Sequence, residues 1–164
     1  MRCLFSLLFV LFAAILPACE PANTLRVHFA EGDDTAENRE LVREAAAWWG
    51  LDVQFVDRDY GALRVDIREH GDIREDGAKR NGVGTYNVLC DKRRMWAIAE
   101  VKTVAHEMAH AVANEGHEES DIYNLMNGHR RVNEHGEDIR EDLTDAQIDR
   151  VQEKVEAFTT WCPQ

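Results

Sequence analysis

Between Ala105 and Met126 the chain reads AHEMAHAVANEGHEESDIYNLM, and the histidines in it restrict the fold more than any other feature. His106 and His110 stand four residues apart in a mostly apolar run of Val101, Val104, Ala105, Met108, Ala109 and Val112. Residues at i and i+4 share a helix face, and a helix this apolar is a buried one. The spacing therefore predicts a buried helix that carries two imidazoles toward one ion. Glu107 completes an H-E-x-x-H pattern at the edge of that face, where it could take a proton from a metal-bound water as the general base of a hydrolase. Asn114-Glu115-Gly116-His117 follows, and Asn and Gly adopt most easily the left-handed conformation that ends a helix. Such a turn can swing His117 back as a third ligand. Three protein ligands with one open position is the coordination of a catalytic zinc, whereas structural zinc sites are closed by four. His129 and His135, on polar chain further on, are competing third ligands.

The segment resembles the zinc signature of the metzincin metallopeptidases, and most of all that of the matrixin branch. That signature is H-E-x-x-H-x-x-G-x-x-H with a methionine in a tight turn shortly after it. Glu115-Gly116-His117 is similar to its end, Asp121 follows, and Asn124-Leu125-Met126 looks like the methionine turn. The departure lies between the second and third histidines, which are seven residues apart here and six in the family, with Ala113 at the family's glycine. An extra residue within Ala111–Ala113 leaves Asn114 to make the turn. The resemblance implies ligands His106, His110 and His117, Glu107 as catalytic base, and Met126 beneath the metal. A tyrosine two residues after Met126 is missing, so no such auxiliary group is expected.

Residues 1–18 carry one charge, Arg2, ahead of an apolar run from Leu4 to Leu16. That run is short for a membrane span and has the shape of an export signal. Leu16-Pro17-Ala18-Cys19 resembles a bacterial lipobox, with Cys19 as the lipidated residue. A plain signal-peptidase cut nearby, giving a secreted or periplasmic protein, is the alternative. The expected organisation is a signal peptide over 1–18, a short tether over 19–23, and one domain over 24–164. With Cys3 removed and Cys19 lipidated, Cys90 and Cys162 remain. In an oxidising compartment such a pair is most simply a disulfide, with two buried free thiols as the alternative. Loss of residues 1–18 takes the formal charge from −12 to −13, because Arg2 is the only charged residue lost. That balance argues against nucleic acid or anionic membrane surfaces as partners, leaving membrane contact to the lipid at Cys19. The 146 residues left make one domain with a real core, expected to be monomeric, with no room for an N-terminal propeptide.

Alternation of Leu25, Val27 and Phe29 predicts a half-buried strand over Thr24–Ala30, with His28 on its outer face. Thr35 or Asn38 caps a helix through Trp49, with Leu41, Val42, Ala45, Trp48 and Trp49 as its apolar stripe and Gly50 as its stop. Leu51–Val56, Leu63–Ile67, Gly82–Cys90 and Met95–Ala99 read as further strands. Arg68–Asn81 is a charged, glycine-punctuated loop. Matrixins often carry calcium, so Ca2+ is a candidate in such acidic loops, although none has a recognisable calcium spacing. In metzincins the strand corresponding to Gly82–Cys90 lies at the sheet edge, where unpaired backbone can take an extended peptide as an added strand. Thr144 and Gln147 form a capping box for a last helix with Ile148, Val151, Val155 and Phe158 on one face. The expected fold is a single α+β domain of the zincin or metzincin kind: a mixed twisted sheet, an active-site helix and a C-terminal helix. The expected function is a zinc-dependent metalloendopeptidase on a bacterial envelope, acting on a peptide or protein. The alternative is an inactive zinc- or protein-binding lipoprotein of the same fold, which would have no need of Glu107.

Overall fold

The computed structural model describes residues 23–58, 61–68, 82–87, 92–128, 133–136 and 138–160. The expected export signal, Cys19, Cys90, His129, Trp161 and Cys162 lie outside these, as does the loop proposed for calcium. Five strands and three helices follow in the order β1 (Thr24–Phe29), α1 (Ala36–Ala47), β2 (Asp52–Phe55), β3 (Leu63–Arg68), β4 (Gly82–Asn87), β5 (Lys92–Ile98), α2 (Val101–Ala113) and α3 (Asp145–Thr160). They form one α+β domain.

The sheet order is β2-β1-β3-β5-β4. The first four of these strands are parallel, and β4 runs antiparallel to β5 along one edge. Parallel neighbours need a crossover between them, and α1 supplies it from β1 to β2. The alternation in β1 does what its sequence dictates: Leu25, Val27 and Phe29 are buried and the residues between them half-buried. His28 sits on that other face, its Nδ1 donating to the Val56 carbonyl at 3.1 Å. Strand β5 starts at Lys92, three residues before the expected Met95. Its basic start carries no apolar signal. Arg94 instead reaches Asp66 on β3, and Arg93 Nη1 donates to the Ala111 carbonyl of α2 at 2.8 Å.

Thr35 is the cap of α1, accepting the Asn38 N–H at 3.1 Å. Beyond the helix Gly50 takes φ +63°, where an added Cβ would meet the Gln152 amide at 2.6 Å. Of the expected stripe, Val42, Ala45 and Trp49 are buried, Leu41 and Trp48 only partly so, and Ala46 joins the core. Trp49 is a core residue that also makes a polar link. Its Nε1 donates to the Ala105 carbonyl at 2.9 Å, tying α1 to α2. The Thr144 capping box forms as expected, Gln147 N–H donating to Thr144 Oγ1 at 3.2 Å and Thr144 N–H to Gln147 Oε1 at 2.9 Å. Val151 and Val155 face the core. No helix among the described residues is long and apolar enough to cross a membrane.

Candidate metal centre

Helix α2 lies under the sheet with nine of its thirteen residues buried, among them His106 and Glu107. Its end is decided at Asn114, which takes φ 54° and ψ 35°. Among the described residues it is the one non-glycine with positive φ. Asn bears that conformation at small cost because its short amide satisfies local groups. The Asn114 N–H returns to the His110 carbonyl at 3.1 Å and the Glu115 N–H to Ala109 at 3.4 Å. The chain reverses there, and His117 comes back over the helix.

Potential ligand atoms of His106, His110 and His117 all lie within 4.8 Å of one another. This group can hold a metal ion. His106 is buried, His110 half-buried and His117 exposed. His106 Nδ1 bonds the Leu125 carbonyl at 2.8 Å, and His110 Nδ1 bonds the Glu115 carbonyl. A carbonyl only accepts, so both Nδ1 atoms carry the proton and both Nε2 atoms are bare lone pairs. Those two Nε2 atoms are 3.0 Å apart. Lone pairs so close repel unless something positive lies between them. Donors on a tetrahedral ion with bonds of about 2.0–2.1 Å would stand roughly 3.3 Å apart, close to what is seen.

No protein-family model matches the chain, and no curated protein does.

A bridging proton is disfavoured at neutral pH. Burial pushes His106 down to about 4, against the opposing effect of its bond to Leu125. Burial lowers His110 as well. Both rings are then neutral, which is the form that binds metals. The same shift has a stability consequence for the metal-free protein. In the unfolded chain His106 takes up its proton near pH 6.5, while in the folded chain it does so only near 4. As pH falls through that window the unfolded state gains protons that the folded state lacks, so stability falls, by about 3 kcal/mol at most. Chemical denaturation of chelated protein at pH 7 and pH 4.5 measures this, with His106→Gln as reference. The wild type should lose more stability than the variant, and equal losses would refute the assignment.

Around the triad the chain is tied by polar side chains. Asn124 Oδ1 accepts the Met126 N–H at 2.8 Å, and the Leu125 N–H reaches the Asp142 carbonyl at 2.8 Å. Met126 is fully buried, and its carbonyl accepts the Glu118 N–H at 3.0 Å. The loop bearing His117 and the turn bearing Met126 are thus one unit. Asn127 adds bonds from its amide to the carbonyls of Glu118 and Asp121 at 3.2 and 3.1 Å. Buried Arg140 then donates to the Asn127 carbonyl at 3.2 Å and pairs with Asp138 at 2.7 Å. Gly128 stands two residues after Met126, and its lack of a side chain matters. A Cβ there would lie 2.7 Å from His117 Nδ1 and 2.6 Å from Glu119 Oε1.

Glu107 follows His106 by one residue, about 100° round the helix and some 60° from the direction of His110. That puts it on the flank of the imidazole face, buried. His135 is exposed, 3.6 Å from Glu134, and does not belong to the triad. A larger cavity of ≈ 690 Å³ opens beside Val101, Lys102 and Tyr123 and is lined by none of the three histidines. Donor atoms, not volume, decide a metal site, so the centre is placed at the triad. The three histidines are evident from the sequence, whereas Gly128, Arg140 and the carbonyls of Leu125 and Glu115 are not. Those act through backbone or across long separations, for which a linear pattern has no signal.

Proposed function

We propose that the chain is a zinc-dependent metalloendopeptidase of the metzincin kind, nearest to matrixins. It works outside the cytoplasm as an envelope lipoprotein anchored at Cys19. What supports the reading is the pair of bare Nε2 lone pairs 3.0 Å apart with His117 beside them, together with an adjacent buried carboxylate. Three imidazole nitrogen donors suit zinc, and the carbonyl bonds to Nδ1 of two of them fix tautomer and ring angle. A zinc ion there would supply Lewis-acid polarisation of the scissile carbonyl and a lowered pKa for water. The chain's own contribution is proton handling. Glu107 takes the proton of the attacking water on a carboxylate oxygen and delivers it to the leaving amine nitrogen, so that one water and one peptide bond become a carboxylic acid and an amine. Strand β4, at the sheet edge, offers backbone groups to an extended substrate.

The test is cleavage of a broad peptide library by the purified mature protein, with chelator and with zinc restored. Cleavage should vanish with chelator and return with zinc. A zinc-loaded protein that cleaves nothing, yet retains peptides, would instead establish the binding-protein alternative.

A further inference from the structure

Each helix histidine is gripped at Nδ1 by a backbone carbonyl, and side chains of α3 bond the Glu115 carboxylate beside one of those carbonyls and the Asn124 amide next to the other. Leu125, which serves His106, sits between Asn124 and Met126. The Asn124 amide is paired in both directions with Gln147: Nδ2 donates to Gln147 Oε1 at 3.1 Å, and Gln147 Nε2 donates to Asn124 Oδ1 at 3.2 Å. Both amides are buried, at 1% and 5% exposure. Glu115, which serves His110, has its carboxylate held by Arg150 through Nε to Oε2 at 3.0 Å and a second contact from Nη2 to Oε1. Gln147 and Arg150 are three residues apart, so they share one face of α3. That face also borders a cavity of ≈ 200 Å³ beside Gly116 and His117.

We propose that α3 is the outer brace of the metal centre, with Gln147 and Arg150 as positioning residues for His106 and His110. The inference rests on the metal reading above and extends it 20 to 40 residues further along the chain. A brace of this kind acts by holding ring angle, since a carbonyl that drifts lets its imidazole rotate away from the shared point. Gln147 also caps α3, so loss of the cap must be separated from loss of the clamp. Thr144→Ala does this: it removes the Thr144 Oγ1 bonds to the Gln147 N–H and Oε1, while both bonds of the Asn124–Gln147 amide pair and the Thr144 N–H to Gln147 Oε1 keep their partners. Arg150 is half-exposed, so its replacement opens no hole in the core, although it takes a charge partner from the Glu115 carboxylate.

The experiment measures zinc affinity by competition with a chromophoric chelator, and the visible absorption of the cobalt(II)-substituted protein, on the full mature chain. Gln147→Ala should bind zinc up to about 10-fold more weakly, at the low end of the roughly 10–100-fold lost with a direct partner of a ligand, and shift the cobalt spectrum. Arg150→Ala should weaken binding in the same direction, with Arg150→Lys restoring part of it. Thr144→Ala should lower thermal stability with affinity and spectrum unchanged. If Gln147→Ala and Thr144→Ala change affinity equally, or if neither Gln147→Ala nor Arg150→Ala changes it, the brace is refuted although zinc still binds. Failure of the wild-type chain to bind zinc or cobalt would sink the metal reading itself.

Discussion

A Glu107→Gln protein is expected to bind zinc as tightly as the wild type and to hydrolyse peptides at least about 10²–10⁴-fold more slowly. Glutamine keeps the size and planarity of the carboxylate, so the buried position beside His106 stays filled. What it loses is the ability to take a proton. The ligand nitrogens are elsewhere: His106, His110 and His117 provide the donor group without it. Metal content and cleavage should therefore separate in this variant, and they should fall together in any ligand variant. Glu107→Ala should behave alike toward peptides and also lose packing, which makes the glutamine variant the cleaner test. Hydrolysis by Glu107→Gln at near wild-type rate, with zinc bound, would rule out the proposed mechanism. Unaltered peptide binding with hydrolysis gone is the expected signature.

The separation of those two properties is legible in the sequence itself, because H-E-x-x-H places ligands and base at fixed angles on a helix. Other parts are legible for the same reason, being local. The alternation of Leu25, Val27 and Phe29 marks a strand, and Thr144 with Gln147 marks a helix start; both are found. What stays hidden is non-local. The insertion of β5 between β3 and β4 has no signature in Lys92, Arg93 or Arg94, whose charges conceal a strand that the sheet encloses on both sides. The amide of Gln147 is visible as a cap but not as the partner of Asn124, 23 residues away. Arg150 and Glu115, 35 apart, offer no cue at all. The seven-residue spacing to His117 is the one place where local pattern and site disagree. There Asn114 takes the left-handed conformation, and His117 comes to lie beside the two helix histidines.

His117 is the proposed third ligand, and its replacement is expected to have the other large effect. His106 and His110 sit on a rigid, buried helix and keep their carbonyl partners whatever happens beyond Asn114. His117 is on irregular chain, its side chain 46% exposed, held by the Glu118 bond to Met126, with Gly128 leaving the space its ring edge uses. His117→Ala should leave the fold intact and weaken zinc binding by more than the roughly 10–100-fold that losing an outer-sphere partner costs. Two nitrogens alone cannot complete three-ligand coordination. Gly128→Ala provides the graded counterpart. Its methyl, 2.7 Å from His117 Nδ1, would force the imidazole aside without removing it. Affinity should therefore rank wild type above Gly128→Ala and Gly128→Ala above His117→Ala, with thermal stability of the chelated proteins nearly equal. Unchanged affinity in His117→Ala would take this residue out of the site and return the third place to His129. A loss of affinity in both variants, in that order, ties the metal to the turn that Asn114 makes.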